Sequence, residues 1–270
     1  MHKQFCSILI LVLSTIAINS YSQGRVDGFY KGKGNTEIVL GGGTEFAKRY
    51  FAGNDKISVS RTIYNANIFI AAGLFNKLDL YLSTPYVSIN KTGSIQDGSA
   101  FLKAEALHRK LSHGELSISM ALGFSGNLAN YQTEGLSAIG QQAKVLDIRP
   151  VVHYFSKGGW FGTLQFAYGY KSDPVPDCIN GSLKIGRATS KLYFDVWYDH
   201  QTCLGGLDYR GTPAPSTFKE LRVNYHKLGA TFYSPIFERL GAFAGTSYVI
   251  TGRNIGQGIN VNIGLVLKSN

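Results

Sequence analysis

Apolar and polar residues alternate along most of this chain, and the stretch 114–125 shows the pattern most clearly. Its large apolar residues fall at every second position, so they share one face of a strand, and small or polar residues occupy the other face. They are Leu116, Ile118, Met120, Leu122 and Phe124. The same period of two predicts strands at approximately 36–46, 59–74, 77–89, 99–110, 114–125, 143–155, 160–170, 179–188, 191–203, 221–233, 240–251 and 258–268.

The links between these predicted strands are alternately short and long. The short links lie at 76, 111–113, 156–159, 189–190 and 234–239, and the long ones at 47–58, 90–98, 126–142, 171–178, 204–220 and 252–257. Outer-membrane barrels have tight turns on the periplasmic side and extended loops outside. The sequence therefore predicts an all-β fold, an antiparallel 12-stranded transmembrane β-barrel with short periplasmic turns, longer extracellular loops and both termini in the periplasm.

The N-terminus has the features of a secretory signal peptide. Lys3 provides a basic start, residues 8–18 form an apolar run too short to span a bilayer, and Ser20-Tyr21-Ser22 is a small-x-small cleavage site. The predicted parts are therefore a signal peptide (1–22), a periplasmic N-terminal segment (23–35) and the barrel (36–270). The N-terminal segment is rich in glycine and carries a net charge of +2, and it has two interpretations: a plug in the periplasmic mouth or a flexible tail.

Composition agrees with a barrel and argues against a helical membrane protein. No stretch after the signal peptide approaches 18 uninterrupted apolar residues, whereas 32 Gly, 16 Tyr and 16 Phe suit strands flanked by aromatic girdles. Removing Lys3 from the 27 basic residues leaves 26 against 17 acidic ones, a net charge of +9. This excess indicates solvated loops, contact with lipopolysaccharide phosphates, or a pore that favours anions. Nucleic acid is not an expected partner, because no basic stretch forms a recognition module.

Several charged residues fall on the inward-facing positions of the predicted strands. Charges of opposite sign across a lumen either pair and rigidify the barrel or set the selectivity of a channel, and both interpretations remain open. The candidates are Lys103, Glu105, Arg109, Asp147, Arg149, His153, Lys184, Asp195 and Asp199. Those nearest mid-height, and hence candidates for a constriction, are Glu105, Arg149, Lys184 and Asp195.

Two cysteines remain after the signal peptide, at the far ends of two strands joined by the turn at 189–190. Folding the hairpin at this turn brings Cys178 and Cys203 nearly opposite each other, both on the inward-facing register. In an oxidising compartment this arrangement predicts a disulfide, with two free buried thiols as the alternative.

The alternation is interrupted between residues 221 and 233. Leu221, Val223 and Tyr225 lie on one register, whereas Leu228 and the apolar residues after it lie on the other. A single register would place Lys227 on the lipid face, at a cost of about 2–4 kcal/mol near the midplane. We therefore predict a β-bulge close to Tyr225–Lys227.

Motifs for catalysis are sparse. The sequence has no G-x-S-x-G elbow, no H-E-x-x-H motif, and no His or Cys at metal-site spacing. His108 and His200 fall on the outward-facing register, as does the lipid-facing histidine of outer-membrane phospholipases, but no serine stands in an obvious neighbouring position. We expect no enzymatic activity, no metal and no cofactor.

Three stretches resemble a bacterial outer-membrane barrel family labelled transporters of the meta-pathway of phenol degradation, which are distantly similar to fatty-acid and toluene uptake channels. Residues 75–86 (FNKLDLYLSTPY) resemble its turn-strand signature, and residues 23–30 (QGRVDGFY) and 189–198 (TSKLYFDVWY) are similar to its Bacteroidetes branch. The resemblance implies uptake of hydrophobic or aromatic molecules. One departure is the C-terminus, which ends in Lys268-Ser269-Asn270 rather than in an aromatic residue.

The leading functional hypothesis is a passive outer-membrane channel for small molecules, with apolar solutes among them. Twelve tilted strands give a barrel roughly 24 Å across at the backbone, so side chains leave room for small solutes only. The expected partners are outer-membrane lipid, lipopolysaccharide and the solute. One alternative is a non-transporting structural or surface-interaction barrel that binds through loops 126–142 and 204–220. A third hypothesis is a lipid-modifying enzyme.

Overall fold

The computed structural model describes residues 26–269, which form fourteen β-strands and one turn of 3-10 helix, Phe218–Glu220. The strands are β1 (Thr36–Ala52), β2 (Asp55–Ile57), β3 (Arg61–Phe75), β4 (Leu78–Ile89), β5 (Thr92–Ile95), β6 (Asp97–Leu111), β7 (Gly114–Asn127), β8 (Val145–Ser156), β9 (Trp160–Lys171), β10 (Cys178–Ala188), β11 (Tyr193–Cys203), β12 (Asn224–Pro235), β13 (Leu240–Arg253) and β14 (Ile255–Lys268). Within this part of the chain, no helix is long and apolar enough to cross a membrane. The predicted signal peptide and residues 23–25 of the N-terminal segment lie outside the described residues.

Twelve of these strands close into an antiparallel barrel, as the alternation predicts. Each strand pairs with the next one along the chain, and β14 pairs with β1 to complete the circle. The two short strands β2 and β5 pair only with the ends of β1 and β4, so they lengthen two hairpins without adding to the barrel wall. The predicted all-β, 12-stranded antiparallel barrel is confirmed.

The two ends of the barrel differ in their connections. At one end, here called the short-turn end, the links are residues 76–77, 112–113, 157–159, 189–192 and 236–239, and both chain termini of the barrel lie there. The other end, the long-loop end, carries loops 128–144 and 204–223. The expected long link at 252–257 is wrong, because β13 extends to Arg253 and β14 begins at Ile255. Asn254 alone forms the turn between them, and its φ of 53° is left-handed.

Side chains alternate between the two faces of the wall as strand geometry requires. In β9, Leu164, Phe166 and Tyr168 are exposed on the outer face, whereas Thr163 and Gln165 are buried inside. The outer surface of the barrel is therefore largely apolar, and most of the buried polar and charged residues face the interior.

A register shift is present near the predicted bulge, but its extra residue belongs to the neighbouring strand. His226 pairs with Thr251 and Lys227 pairs with Val249, which leaves Ile250 of β13 unopposed. β12 itself pairs with β11 without interruption. Lys227 consequently keeps an inward position on an unbroken β12 and lines an internal cavity.

Candidate functional site

Residues 26–35 run inside the barrel at the short-turn end, directly before β1. Val26 is the most deeply placed of them, and it packs into an apolar cluster that crosses the interior. The cluster also contains Phe69 of β3, Tyr81 of β4, Phe101 of β6 and Val151 of β8. Side chains from seven strands, β1 and β14 among them, therefore form this cluster with Val26.

Lys103 of β6 holds this segment through its backbone. Its side chain is fully buried, and its Nζ donates hydrogen bonds to the carbonyl oxygens of Asp27 at 2.7 Å and Phe29 at 2.8 Å. The same ammonium lies 3.9 Å from the ring centroid of Tyr30 and 3.9 Å from the carboxylate of Asp79. Carbonyl oxygens, a π-face and a carboxylate together compensate the burial of this charge.

A second set of ionic contacts joins the segment to itself and to β1. Lys31 Nζ lies 3.3 Å from Asp27 Oδ2 and 3.2 Å from Glu37 Oε1. Burial alone would raise the pKa of Asp27, but the positive charges of Lys31, Lys184 and Lys103 hold this pKa well below its usual range. Burial likewise opposes the charge of Lys31, and the carboxylates of Asp27 and Glu37 raise its pKa above the usual value. Asp27 and Lys31 therefore stay charged inside the barrel.

Gly28 and Phe29 contact the strands β8 and β9 of the barrel wall. The Phe29 ring packs edge-on against His153 and Phe161, with centroids 4.4 and 5.2 Å away. A Cβ at Gly28 would lie 2.3 Å from His153 Nδ1, which is itself 2.7 Å from Thr163 Oγ1. Only glycine allows this close approach of the segment to β8.

Most of the predicted interior charges are buried in the barrel, but they form separate pairs. Arg149 contacts Asp147 through two hydrogen bonds of 3.0 and 3.1 Å. Lys184 lies 3.5 Å from Asp195. The structure places the predicted residues Lys103, Glu105, Asp147, Arg149, His153, Lys184 and Asp195 among the buried side chains.

Glu105 does not join Arg149, Lys184 and Asp195 at mid-height. It lies 2.8 Å from Lys77, a residue of the short turn between β3 and β4, and 2.9 Å from His108. The expected four-residue constriction is therefore replaced by a pair at the short-turn end and two pairs farther inside. Asp199 pairs across the strands with Lys227 towards the long-loop end.

Arg109 is not an interior residue, and this corrects the expectation from alternation. β6 contains a bulge at which Glu105 pairs with Ser119 and Leu107 pairs with Ile118, so Ala106 is an extra residue. After it the alternation is reversed, and Arg109 is exposed opposite Leu116. His108, expected to face outward, instead pairs with the buried Ser117 for the same reason.

Cavities lie on both sides of this buried region. One of about 230 Å³ adjoins the N-terminal segment at the short-turn end, with Phe29, Lys184, Asp195, Thr231 and Phe243 in its lining. Two adjoining cavities of about 240 and 370 Å³ lie towards the long-loop end and share Arg61, Ala138 and Asn254. Neither of these two shares a lining residue with the first.

Loop 128–144 folds inward over the barrel mouth. Tyr131 and Ile139 are buried against Val87 and Ile89 of β4. The Tyr131 hydroxyl donates to Asp97 Oδ1 at 2.6 Å. Gln96, the residue before β6, donates from its Nε2 to the Ile139 carbonyl oxygen at 2.9 Å. The loop is therefore attached to the inner wall.

The two long loops are bonded to each other. Gln141 Nε2 lies within hydrogen-bond distance of the carbonyl oxygens of Phe218, Lys219 and Leu221, at 3.3, 3.0 and 3.0 Å. Glu134 accepts hydrogen bonds from the Thr217 hydroxyl and from the Phe218 backbone. Loops 128–144 and 204–223 together form what we call the cap.

Asn254 joins the cap to the barrel, and the sequence reasoning did not single it out. Its Oδ1 accepts from the backbone N–H of Gly53 at 3.0 Å and of Tyr209 at 2.9 Å. Its Nδ2 donates to the carbonyl oxygens of Leu207 at 3.1 Å and Arg222 at 2.8 Å. An Asn at a position that needs a left-handed conformation was the available signal.

Comparison with known proteins supports the architecture. No family model matches the sequence, and no curated protein matches it. Among solved structures, an outer membrane channel from Pseudomonas putida F1 is similar with a TM-score of 0.65 and 12% identity, over 90% of this chain and 98% of its own. The chain has the fold of an outer-membrane β-barrel.

Two other outer-membrane barrels are less similar. The NanC porin has a TM-score of 0.48 and 11% identity, over 86% of this chain and 98% of its own. Outer membrane phospholipase A from Escherichia coli has a TM-score of 0.43 and 12% identity, over 83% of this chain and 89% of its own.

The two cysteines of this outer-membrane-type barrel are bonded to each other. Cys178 and Cys203 pair directly across β10 and β11 at the long-loop end, and their sulfurs form a disulfide. The bond ties the last residue of β11 to the first residue of β10, immediately below loop 204–223.

The outward histidine considered for catalysis lies in an aromatic cluster. His200 and His226 pair across β11 and β12, with ring centroids 4.6 Å apart. The Tyr198 hydroxyl contacts His226 at 2.5 Å, and the Thr202 hydroxyl contacts His200 at 3.0 Å. Among residues 26–269, no three His, Cys, Asp or Glu side chains are grouped so as to hold a metal ion.

Proposed function

We propose that this protein is a passive channel of the bacterial outer membrane for small molecules. The observation that carries the proposal is the closed wall, which presents large apolar side chains such as Phe166 and Leu122 outward and polar groups such as Lys103 and Asn262 inward. An apolar band of this extent needs a lipid partner, since water-exposed monomers do not display one.

The proposed orientation places the short-turn end and both termini in the periplasm. Short periplasmic turns and longer extracellular loops are the general arrangement of such barrels. At the long-loop end, Lys48, Arg49, Lys56 and Lys91 are exposed. This basic surface fits contact with the phosphates of lipopolysaccharide, which we propose as a partner together with outer-membrane lipid.

We further propose that residues 26–35 act as a plug. Support comes from the buried contacts of Val26 with the interior cluster and of Asp27 and Phe29 with Lys103. These contacts would have to be broken, or bypassed, for a solute to pass at the short-turn end. A flexible tail would not account for the burial of Val26.

The family resemblance suggests a hydrophobic or aromatic solute. Phe29, Phe69 and Phe243 around the short-turn cavity support this suggestion, whereas Asp195 and Lys184 in the same lining favour a solute that also carries polar groups. The size of the cavity limits either kind to small molecules.

Conductance in planar bilayers tests the channel. We expect discrete openings of small conductance from the mature protein, and a larger conductance from a variant that lacks residues 23–35. The plug proposal fails if the two proteins conduct equally. If neither protein opens at any voltage or with any electrolyte, the channel proposal fails.

The cap favours one second candidate, a surface-interaction barrel. Hydrogen bonds from Gln141 and Glu134 order the two long loops, as expected of a surface that binds a partner. A barrel with this function would show no open state in the bilayer experiment. We do not propose catalysis, and a lipid-hydrolysis assay with the purified protein tests that position.

A further inference from the structure

Two neighbouring rows of inward-facing positions run around the wall formed by β11 to β14 and β1. The lower row, nearer the short-turn end, follows the strand pairing through Asp195, Thr231, Gly245, Asn262 and Gly43. The upper row lies two residues farther along each strand towards the long-loop end. It runs through Trp197, Gly229, Ser247, Asn260 and Glu45.

Polar side-chain atoms in these rows have no protein partner. Within residues 26–269, no hydrogen-bond partner exists for Asp195 Oδ1, Thr231 Oγ1, Trp197 Nε1, Asn260 Oδ1 or either polar atom of Asn262. The five side chains are between 0% and 6% exposed. Asn262 is the extreme case, because it is 0% exposed and both ends of its amide are unpaired.

Such a concentration of unpaired polar atoms is unusual in a protein interior. Buried polar groups nearly always have a partner, and leaving one dry is costly. The same arrangement is stable when the groups line a space that admits water or other hydrogen-bonding molecules. The two rows therefore offer free hydrogen-bonding groups to any water or solute that enters the barrel between the two ends.

Glycines in the two rows leave more room in the barrel interior on this side. Gly43, Gly245 and Gly229 contribute no side chain to the rows. Trp197 lies flat over Gly229, since a Cβ on that glycine would be 2.2 Å from the indole Cζ2. The largest side chain of the upper row is thus folded against β12 and away from the centre of the barrel.

The two rows extend from the cavity at the short-turn end towards one of the cavities at the long-loop end. Asp195 and Thr231 of the lower row line the short-turn cavity, and Glu45 of the upper row lines one of the cavities towards the long-loop end. The opposite wall is engaged by the N-terminal segment, through Lys103 of β6 and Gln165 of β9. The segment also contacts β1, where Lys31 lies 3.2 Å from Glu37, so the free polar groups of the rows lie beside the segment and not in a separate half of the interior.

We propose that solutes cross the barrel along these two rows, beside the N-terminal segment, and that the route serves small uncharged solutes carrying hydroxyl or amide groups. The proposal deepens the proposed channel function and rests on it. Trp197 Nε1 and Asn262 Nδ2 supply donors, and Asp195 Oδ1, Asn260 Oδ1 and Asn262 Oδ1 supply acceptors. A solute that carries both donors and acceptors can exchange its hydrogen bonds to water for hydrogen bonds to these side chains.

The rows carry two carboxylates, Asp195 and Glu45, and basic residues lie near both, which favours neutral solutes. Glu45 shares its cavity with Arg61 and Lys227. The negative charge of Asp195 is compensated by Lys184 at 3.5 Å, and the Tyr193 hydroxyl donates to the same carboxylate at 2.5 Å. An entirely apolar solute would leave the free donors and acceptors without partners, at the cost of their desolvation.

Osmotic swelling of liposomes in glycerol tests the proposal with the full mature protein. Asn262→Leu keeps the approximate side-chain volume and removes both polar atoms. We expect the glycerol swelling rate to fall about fivefold, the factor that corresponds to one net hydrogen bond of about 1 kcal/mol. The control Ile263→Leu changes the neighbouring residue on the outer face and should leave the rate unchanged.

A second variant tests the role of the glycine that accommodates the indole. Gly229→Ala places a methyl group 2.2 Å from the indole Cζ2 of Trp197 and 2.7 Å from the Thr246 carbonyl oxygen. The indole must then move towards the interior and β13 must shift slightly, and glycerol flux should fall. Heat-dependent gel mobility establishes that each variant is a folded barrel. If Gly229→Ala does not fold, Trp197→Phe, which removes the indole donor, should lower the flux instead.

The outcomes separate this inference from the channel function on which it rests. Glycerol flux that is equal in wild type, Asn262→Leu and Gly229→Ala would overturn the proposed route and leave the channel intact. Flux that appears only when residues 23–35 are deleted would also overturn it, because the route is proposed to run beside the segment. If no variant, including the deletion, exceeds protein-free liposomes, both proposals fail.

Discussion

The ammonium group of Lys103 in β6 donates a hydrogen bond to the backbone carbonyl oxygen of Asp27 across 2.7 Å, and no part of the lysine side chain is exposed. A strand of the barrel wall thereby holds the main chain of the segment that precedes the first strand. Because the acceptors are backbone carbonyls, substitutions of side chains in the segment leave this attachment in place. The attachment is therefore best tested from the Lys103 side.

We expect Lys103→Met to loosen the N-terminal segment. The change removes the hydrogen bonds to Asp27 and Phe29, and hydrogen bonds that involve a charged group contribute roughly 1.5–3 kcal/mol each. Bilayer recordings should show more frequent and larger openings. Lys110→Met alters an exposed lysine of the same strand and should conduct like wild type. Unchanged openings in Lys103→Met would contradict this role.

Asn254→Ala is expected to release the cap. It removes the hydrogen bonds to Gly53, Tyr209, Leu207 and Arg222 and places alanine at a left-handed φ of 53°. Loss of even two net hydrogen bonds of about 1 kcal/mol each should raise trypsin cleavage after Arg210 roughly thirtyfold.

The companion variant Asn254→Gly separates the two effects of that substitution. Glycine adopts the left-handed conformation freely and lacks the amide. If cleavage in Asn254→Gly equals that of wild type, the backbone conformation and not the side-chain bonds secures the cap.

The disulfide should contribute measurably to stability. It joins residues separated by 25 positions in sequence, and a loop of that length corresponds to about 3.5 kcal/mol in the chain-entropy model. The double variant Cys178→Ala, Cys203→Ala should therefore lose its heat-resistant gel mobility at a lower temperature. Adding a reductant should lower the transition temperature of the wild type and leave the transition temperature of the double variant unchanged. Equal transitions for the two unreduced proteins would contradict the expectation.

The cap should loosen in acid through Asp208. The hydrogen bond from Arg253 holds the pKa of Asp208 below its usual range, against the opposing effect of burial. A carboxylate with a lowered folded-state pKa stabilises the structure above its unfolded pKa of about 3.9, and this contribution is lost as the pH falls through the folded-state value. The protection factors of the amide hydrogens in loop 204–223, taken relative to the intrinsic exchange rate at each pH, should therefore fall below about pH 4. Asp208→Asn should exchange faster at neutral pH and lose that acid-dependent step.

Alternation predicted the strands and the facing of most residues because each strand has one lipid face and one interior face. It failed at Arg109, since the bulge at Ala106 adds one residue in a stretch where Ala, Leu and His give no sign of it. The extra residue near Lys227 was detected from an apparent break in pattern, yet it lies in β13 at Ile250. A sequence pattern reports that two registers conflict and does not report which strand carries the additional residue.

The interior was harder to predict than the wall. Charged residues such as Lys184 and Asp195 are visible as inward-facing positions, but their partners depend on which strands become neighbours. Lys103 and Asp27, which are in contact, lie 76 positions apart in sequence. The acceptor is a backbone carbonyl oxygen, which every residue has, so the sequence does not reveal it. The cap depends in the same way on carbonyl oxygens, which no side-chain pattern reveals.

The pairing of β1 with β14, in which Gly41 stands opposite Gly264, has a consequence for assembly. The two strands come from opposite ends of the chain, so the circle is sealed only after the last strand has been delivered to the membrane. Until then β1 has one unpaired edge, and residues 26–35 lie beside an open wall. The seam therefore allows the N-terminal segment to be enclosed sideways as the barrel closes, without being threaded through a finished ring.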